Sequence, residues 1–473
     1  MSIFQNPTVI SILAFIFILG AAVTLHEFGH FIVAKLLKIR VETFSFGFGP
    51  RLHGHKIGTT DYRISLIPLG GYVKLGGDES NAPIEGEGAS DIPANERFDL
   101  RPRWQRILVA LAGPVMNILT ALTIPFASGL MYGVPATPAP VVSSVFAGGA
   151  AQAAGLQPGD RIISFNGTEN PDWDAISGDA LLSPNDPLPM VIERNGQRTN
   201  LIIKPTPHTE QGETAGFLDF IPDYGDVIVT ISDVAPGSPA AVAGLQGGDR
   251  VVAVGGQNVK SSEQVVQYIR MHKTEPIVMD VDRVGKRLQL TANIPAGEQI
   301  IGVHVGQKLP IEKGGPITAA RYALNSNVRL VRLTGKALGQ FISGKRSVRN
   351  TISGPIGIYR AASTTAIELG WPGVFGMLGF LSLNLGVFNL LPIPVLDGGA
   401  IFLLLIEGLL GLVGMTISVT VRDRIQQVGF VFVILLMVFV ITNDLLKQAS
   451  IWRGGSSSPP ATASPTPATA PTK

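Results

Sequence analysis

Residues 8–30 read TVISILAFIFILGAAVTLHEFGH: an uncharged run from Thr8 to Leu25 leads directly into His26-Glu27-Phe28-Gly29-His30. A helix needs about 20 apolar residues to cross about 30 Å of hydrocarbon, and this run has the length and composition for it. It has no Lys/Arg-rich leader and is longer than the apolar part of a secretory signal, so it reads as an uncleaved membrane helix. Ionisable groups are costly in such a helix and usually mark function. Positions i and i+4 share a helix face, so both imidazoles can reach one metal ion, with Glu27 beside them as a base. The alternative is a structural polar cluster at the helix end.

Working outward, three further stretches lack Asp, Glu, Lys and Arg: Ile107–Val145, Gly373–Leu396 and Val428–Thr442. Only 15% of the 473 residues are charged, against about 25% in typical soluble proteins. The expected fold is therefore a polytopic α-helical membrane protein with four transmembrane helices. The first lies in residues 1–37, the second in 104–134, the third in 373–410 and the fourth in 427–447. Pro114 and Pro125 should bend the second, and Pro392 and Pro394 interrupt the third. Net charge is +2, which gives no reason to expect nucleic acid as a partner. With no cysteine, disulfides, thiolate nucleophiles and Cys-ligated metals are excluded.

Lys/Arg asymmetry sets the orientation. Residues 38–103 carry Lys38, Arg40, Arg51, Lys56, Arg63, Lys74, Arg97, Arg101 and Arg103, and Arg422 and Arg424 separate the last two spans. Both connections are expected on the cytoplasmic side, with the termini and Val141–Gly370 outside, periplasmic in an organism with two membranes. Lys35 then marks the cytoplasmic boundary, and His26 lies about 13 Å inside it at 1.5 Å per residue. Within 38–103, Asp61–Leu75 has a Pro68 break and a Gly70-Gly71 turn. It reads as a β-hairpin, either associated with the membrane or in the cytoplasm.

The outer segment repeats itself. Ala151-Gln-Ala-Ala-Gly-Leu-Gln-Pro-Gly-Asp-Arg161 aligns with Ala240-Ala-Val-Ala-Gly-Leu-Gln-Gly-Gly-Asp-Arg250, and the same offset carries Arg194, Gly196 and Arg198 onto Arg283, Gly285 and Arg287. Two copies of one α+β domain are expected, over 135–209 and 210–297. Their pattern resembles circularly permuted bacterial PDZ domains. Residues 310–350 combine an apolar stripe with Arg321, Arg329, Arg332 and Lys336, as in an amphipathic helix on a membrane surface; packing on the second repeat is the other reading. Residues 454–473 are rich in Pro, Ser, Thr and Ala and are expected to be disordered.

Two histidines leave a catalytic zinc one protein ligand short of the usual three. The segment Asn389-Leu-Leu-Pro-Ile-Pro-Val-Leu-Asp397-Gly-Gly399 can supply it, because an unpaired Asp397 in that apolar stretch would be expensive. A polar helix–helix contact is the alternative. Asn389 could hold a substrate carbonyl or oxyanion, or satisfy backbone freed by the prolines. His53 and His55 read as solvated, not as a second metal site.

The His-Glu-x-x-His helix, the Asn-x-x-Pro…Leu-Asp-Gly segment and the four spans together resemble the site-2 protease family of intramembrane zinc metalloproteases. The likeness is to its sigma-E-regulating branch, with two PDZ domains between spans two and three. Ile67–Lys74, Ala112–Asn117 and Ser353–Ile358 share in it. The resemblance implies a Zn2+ cofactor on His26, His30 and Asp397, Glu27 as the base activating the metal's water, and Asn389 supporting the substrate. It further implies a bacterial inner-membrane enzyme with its active site toward the cytoplasm and a membrane-reentrant β-hairpin. Its expected partners are the lipid bilayer and single-pass membrane substrates of the anti-sigma-factor type, cut after a first outer-side cleavage. Remnant signal peptides and ligands of the PDZ domains are further possible partners.

Overall fold

The computed structural model describes residues 6–78, 92–210, 213–225, 227–272, 275–294, 301–343, 354–415 and 418–453; the tail expected to be disordered, 454–473, lies outside them. The chain divides into two compact units, one of residues 1–131 and 315–455, the other containing 132–314.

The first unit opens with helix α1 (Pro7–Leu36), started by the Asn6 side chain, which accepts from Thr8 N at 2.9 Å, and by Pro7 at its first position. Two long strands follow, β1 (Val41–Ile57) and β2 (Thr60–Leu75). They are not the single hairpin over 61–75 that the sequence suggests. Residues 43–46 pair on both sides, with 61–64 and with 71–74, while 51–57 pair with 60–65. Each strand bends back on itself, making four segments of one sheet. Gly47 and Gly49, at φ 91° and 86°, turn β1, and Pro68 with Gly70 turns β2. The edge segment Gly70–Leu75 lies along α1: Thr24 Oγ1 donates to Gly70 O at 3.2 Å, and Val73 N donates to Glu27 Oε2 at 3.2 Å. A Cβ on Gly20 would stand 2.7 Å from Pro68 O. Gly20 precedes the end of α1 by 16 residues, so the sheet reaches about 24 Å up that helix. Helix α2 (Arg103–Tyr132) contains Pro114 and Pro125 and approaches α1 closely, since a Cβ on Gly29 would meet Ala112 O at 2.2 Å.

The second unit carries two larger sheets. Its elements are β3 (Val134–Pro135), β4 (Val141–Val145), α3 (Ala150–Ala153), β5 (Arg161–Phe165), β6 (Thr168–Glu169), α4 (Trp173–Leu181), β7 (Leu188–Arg194), β8 (Gln197–Ile203), β9 (Thr206–Glu210), β10 (Glu213–Phe217) and β11 (Phe220–Asp223). They continue as β12 (Ile228–Val234), α5 (Pro239–Val242), β13 (Arg250–Val254), β14 (Gln257–Asn258), α6 (Ser262–Met271), β15 (Ile277–Arg283), β16 (Lys286–Ala292), β17 (Val303–Lys308) and β18 (Ile311–Glu312). Strand order is β11-β4-β5-β7-β8 in one sheet and β17-β12-β13-β15-β16 in the other, with β6 and β14 hanging on β5 and β13. The two orders correspond element for element. Each sheet takes its outer strand from beyond the boundary expected from sequence. β11 lies past residue 209 and β17 past 297, because a chain segment intervenes before the strand that pairs with β4 or β12. Phe165, Ile176 and Ile192 centre one core, and Val254, Val265 and Met279 the other.

The first unit resumes with α7 (Gly315–Ile342), α8 (Pro355–Asn389), α9 (Asp397–Leu412) and α10 (Val419–Arg453). Asn327 on α7 donates to Ala121 O on α2 at 3.0 Å, and Thr334 donates to Asn384 Oδ1 on α8 at 3.2 Å. The helix therefore packs on two long apolar helices, while Ile317, Leu324 and Val328 on it stay exposed. α8 breaks at Gly370, φ 62°. Asp444 of α10 accepts from Gly354 N and Ile356 N at 2.9 and 3.0 Å, capping the start of α8.

Four helices among the described residues are long and apolar enough to cross a membrane: Pro7–Leu36, Arg103–Tyr132, Leu369–Asn389 and Arg424–Leu446. The third is shorter than the 373–410 span expected from sequence. Pro392 and Pro394 lack N–H groups and Val395 sits at φ 84°, so the chain makes a true turn after Asn389 and restarts as the 16-residue α9. The protein is thus a membrane protein with inserted β domains.

Candidate metal centre

The turn between α8 and α9 sets two polar side chains against α1. Asn389 is the last residue of α8 and Asp397 the first of α9. His26 and His30 lie one helical turn apart on α1, facing them. His26 Nε2 is 3.2 Å from His30 Nε2 and 3.1 Å from Asp397 Oδ2, and His30 Nε2 is 3.5 Å from Asp397 Oδ1. Asn389 Nδ2 stands 3.2 Å from His26 Nε2. Both histidines are buried, at 6% and 8% exposure, while the Asp397 side chain retains 22%.

These separations test whether one ion fits. Zinc binds imidazole nitrogen and carboxylate oxygen at about 2.0–2.2 Å in a tetrahedron, so neighbouring ligand atoms should lie about 3.3–3.5 Å apart. The three pairs here span 3.1–3.5 Å, with His26 nearest Oδ2 and His30 nearest Oδ1 of the Asp397 carboxylate. Two neutral imidazoles and one carboxylate also form a common donor set for catalytic zinc. His26, His30 and Asp397 are the one such group of three among the described residues. His53 and His55 stand apart from it, exposed on β1.

Helix α2 furnishes the floor. Val109, Gly113 and Asn117 recur every fourth residue and so share one face. Val109 O is 2.7 Å from His30 Nδ1, and Asn117 Nδ2 is 3.2 Å from His26 Nδ1. A Cβ on Gly113 would stand 2.3 Å from His30 Nε2, so any larger residue would push the rings away. Glu27 follows His26 on α1, and its Oε2 is held by Val73 N of the sheet edge. Sequence reasoning found the ligand candidates and the base, and placed Val73, Gly113 and Asn117 in segments that share in the family resemblance, but gave them and Val109 no individual role. For Asn117 a signal existed, an amide at four-residue spacing from a glycine inside an uncharged helix.

A model of peptidase family M50 matches residues 14–436. The chain belongs to peptidase family M50. The Escherichia coli (strain K12) regulator of sigma-E protease RseP is 34% identical over 466 residues, covering 92% of this chain and 98% of that protein. Protease RseP of Yersinia pestis is 34% identical with the same coverage. A Vibrio cholerae protein with a zinc metalloprotease name is 32% identical over 470 residues, at 92% and 98% coverage. As a member of M50, the site-2 protease family, this chain is a metalloprotease with zinc as its cofactor.

Proposed function

We propose that His26, His30 and Asp397 hold the zinc ion and that the enzyme cleaves single-pass membrane proteins within the bilayer. The convergence of two α1 imidazoles and the α9 carboxylate at 3.1–3.5 Å carries this reading. When bound, zinc lowers the pKa of a water molecule and polarises the scissile carbonyl. The Glu27 carboxylate takes the proton from the attacking water and returns it to the leaving amine nitrogen. Val73 N, donating to Oε2, holds the Glu27 side chain and leaves Oε1 for the proton. Asn389 Nδ2 donates to the carbonyl oxygen as charge develops there. The edge segment Gly70–Leu75 beside Glu27 can guide an extended substrate by backbone hydrogen bonds.

The relatives' names support a role in sigma-E signalling. We propose as substrate an anti-sigma factor in the inner membrane, cut after a first cleavage on its outer side. In this reading the site faces the cytoplasmic half of the bilayer, residues 38–103 are cytoplasmic, and the two sheets are periplasmic PDZ-like domains. Those domains exclude substrates that still carry a bulky outer part.

The test uses purified full-length protein and a trimmed single-pass substrate. Glu27→Gln should keep zinc and lose cleavage; cleavage at the native rate would remove Glu27 from the mechanism. Deleting both sheets should leave trimmed-substrate cleavage intact and newly permit cleavage of the untrimmed protein.

A further inference from the structure

We infer that Asn117 is a positioning residue for His26: its side-chain carbonyl holds the hydrogen on Nδ1, leaving Nε2 free to bind the metal. The inference rests on the ligand set proposed above. A neutral imidazole has one N–H and one lone pair, so the partner of one nitrogen decides what the other can do. For His30 the choice is made by backbone. Val109 O can only accept, so its 2.7 Å contact puts the hydrogen on Nδ1 and the lone pair on Nε2.

Among the described residues, His26 has no carbonyl of the main chain in that role; it has an amide that carries both a donor and an acceptor. Asn117 is fully buried, so water does not compete for the ring. With Nδ2 toward His26 Nδ1 at 3.2 Å, Oδ1 is buried and has no donor among the described residues. Rotating the amide by half a turn gives Oδ1 the Nδ1–H of His26 and leaves Nε2 facing His30 and Asp397. Both rings then take the same polarity from one face of α2. Gly113, between the two contacts, lets that face come close enough, since its Cβ would lie 2.7 Å from His26 Cε1. Partners of this kind fix the ring orientation of metal-bound histidines, and losing one typically costs about 10–100-fold in metal affinity.

Zinc affinity of the purified full-length protein, measured by chelator competition, tests this. Asn117→Leu keeps the volume but removes the acceptor, and should weaken zinc binding by about 10–100-fold. Asn117→Asp restores an acceptor and should avoid that loss, binding zinc more tightly than the Leu variant. His26→Ala should bind more weakly than either. If Asn117→Leu binds zinc as tightly as the native protein while His26→Ala does not, the inference falls and the ligand set stands. Equal losses in the Leu and Asp variants would also overturn it, because packing and not the acceptor would then be the cause. Native affinity in His26→Ala would bring down the ligand set and the inference together. Should the Leu variant fail to fold, nitrogen-15 spectra of the zinc-loaded native protein decide the matter. Both zinc-shifted imidazoles should carry hydrogen on Nδ1, and a zinc-shifted ring protonated on Nε2 would overturn the inference.

Discussion

Two sets of buried polar groups, one in each unit, are organised in opposite ways. In the sheets, each buried carboxylate closes on its own partner. Asp160 receives Arg194 Nε and Nη2 at 2.6 and 2.7 Å, and Asp249 receives Arg283 at 2.7 and 2.8 Å. The same arginines also donate to Gly155 O and Gly244 O at the helix ends, and Gln157 N and Gln246 N complete the carboxylates. In the helical unit, His26, His30 and Asp397 bring ring nitrogens and carboxylate oxygens within 3.1–3.5 Å of one another from two helices. The first pattern is self-satisfied and serves the fold. The second, in the function proposed above, is completed by a cation and serves chemistry. A buried charge is therefore informative less for being buried than for whether its neighbours supply its opposite.

Substitutions should separate the two patterns. The largest effect is expected at Asp397: Asp397→Ala should strip zinc and abolish cleavage while the denaturation midpoint of the sheets stays put, as metal analysis and a urea titration would reveal. Glu27→Gln comes next, slowing cleavage by about 10²–10⁴-fold with zinc retained. Asn389→Ala should also retain zinc, and slow turnover by about 10²–10³-fold, the usual cost of an oxyanion donor. In the sheets the effect moves to stability. Asp249→Ala should destabilise the second sheet by about 2–3 kcal/mol and leave the zinc content unchanged. A change in zinc there would break the contrast.

The smallest effect concerns pH. Hydrogen bonds from the Arg283 guanidinium hold the Asp249 carboxyl below its ordinary value of 3.8. A carboxyl depressed on folding contributes fully above that ordinary value and loses its contribution as pH falls through the lower, folded one. The second sheet should therefore weaken below pH 3.8. Asp249→Asn, followed by hydrogen exchange across the same acid range, should flatten that decline.

Much of this contrast could be read in the sequence, for identifiable reasons. Charge-free runs expose membrane helices because hydrocarbon tolerates little else, and His26, Glu27 and His30 stand out against such a run. The offset that aligns Asp160 with Asp249 also aligns Arg194 with Arg283, so the ion pairs were implicit in the repeat. Features that depend on approach in three dimensions stayed hidden. Nothing in the pattern of residues 41–75 says that 43–46 will be paired on both sides, because strand bends at Gly47 and Pro68 leave the alternation of the segments intact. The strands β11 and β17 escaped because they lie past the segment in which the repeat keeps register. The basic stripe of α7 is local information, whereas its bond from Asn327 to Ala121 joins residues 206 apart and could not be read from it.

One feature of α9 bears on how the enzyme is assembled. Asp397 is the first residue of that helix, where unpaired backbone N–H groups create a field that favours negative charge. With the proposed ligand set, the helix would share with the cation the task of neutralising this carboxylate, and His30 is steadied independently by Val109 O. Loading becomes a separate, reversible event that can follow membrane insertion, so a chelator should silence the protease without unfolding it and added zinc should revive it.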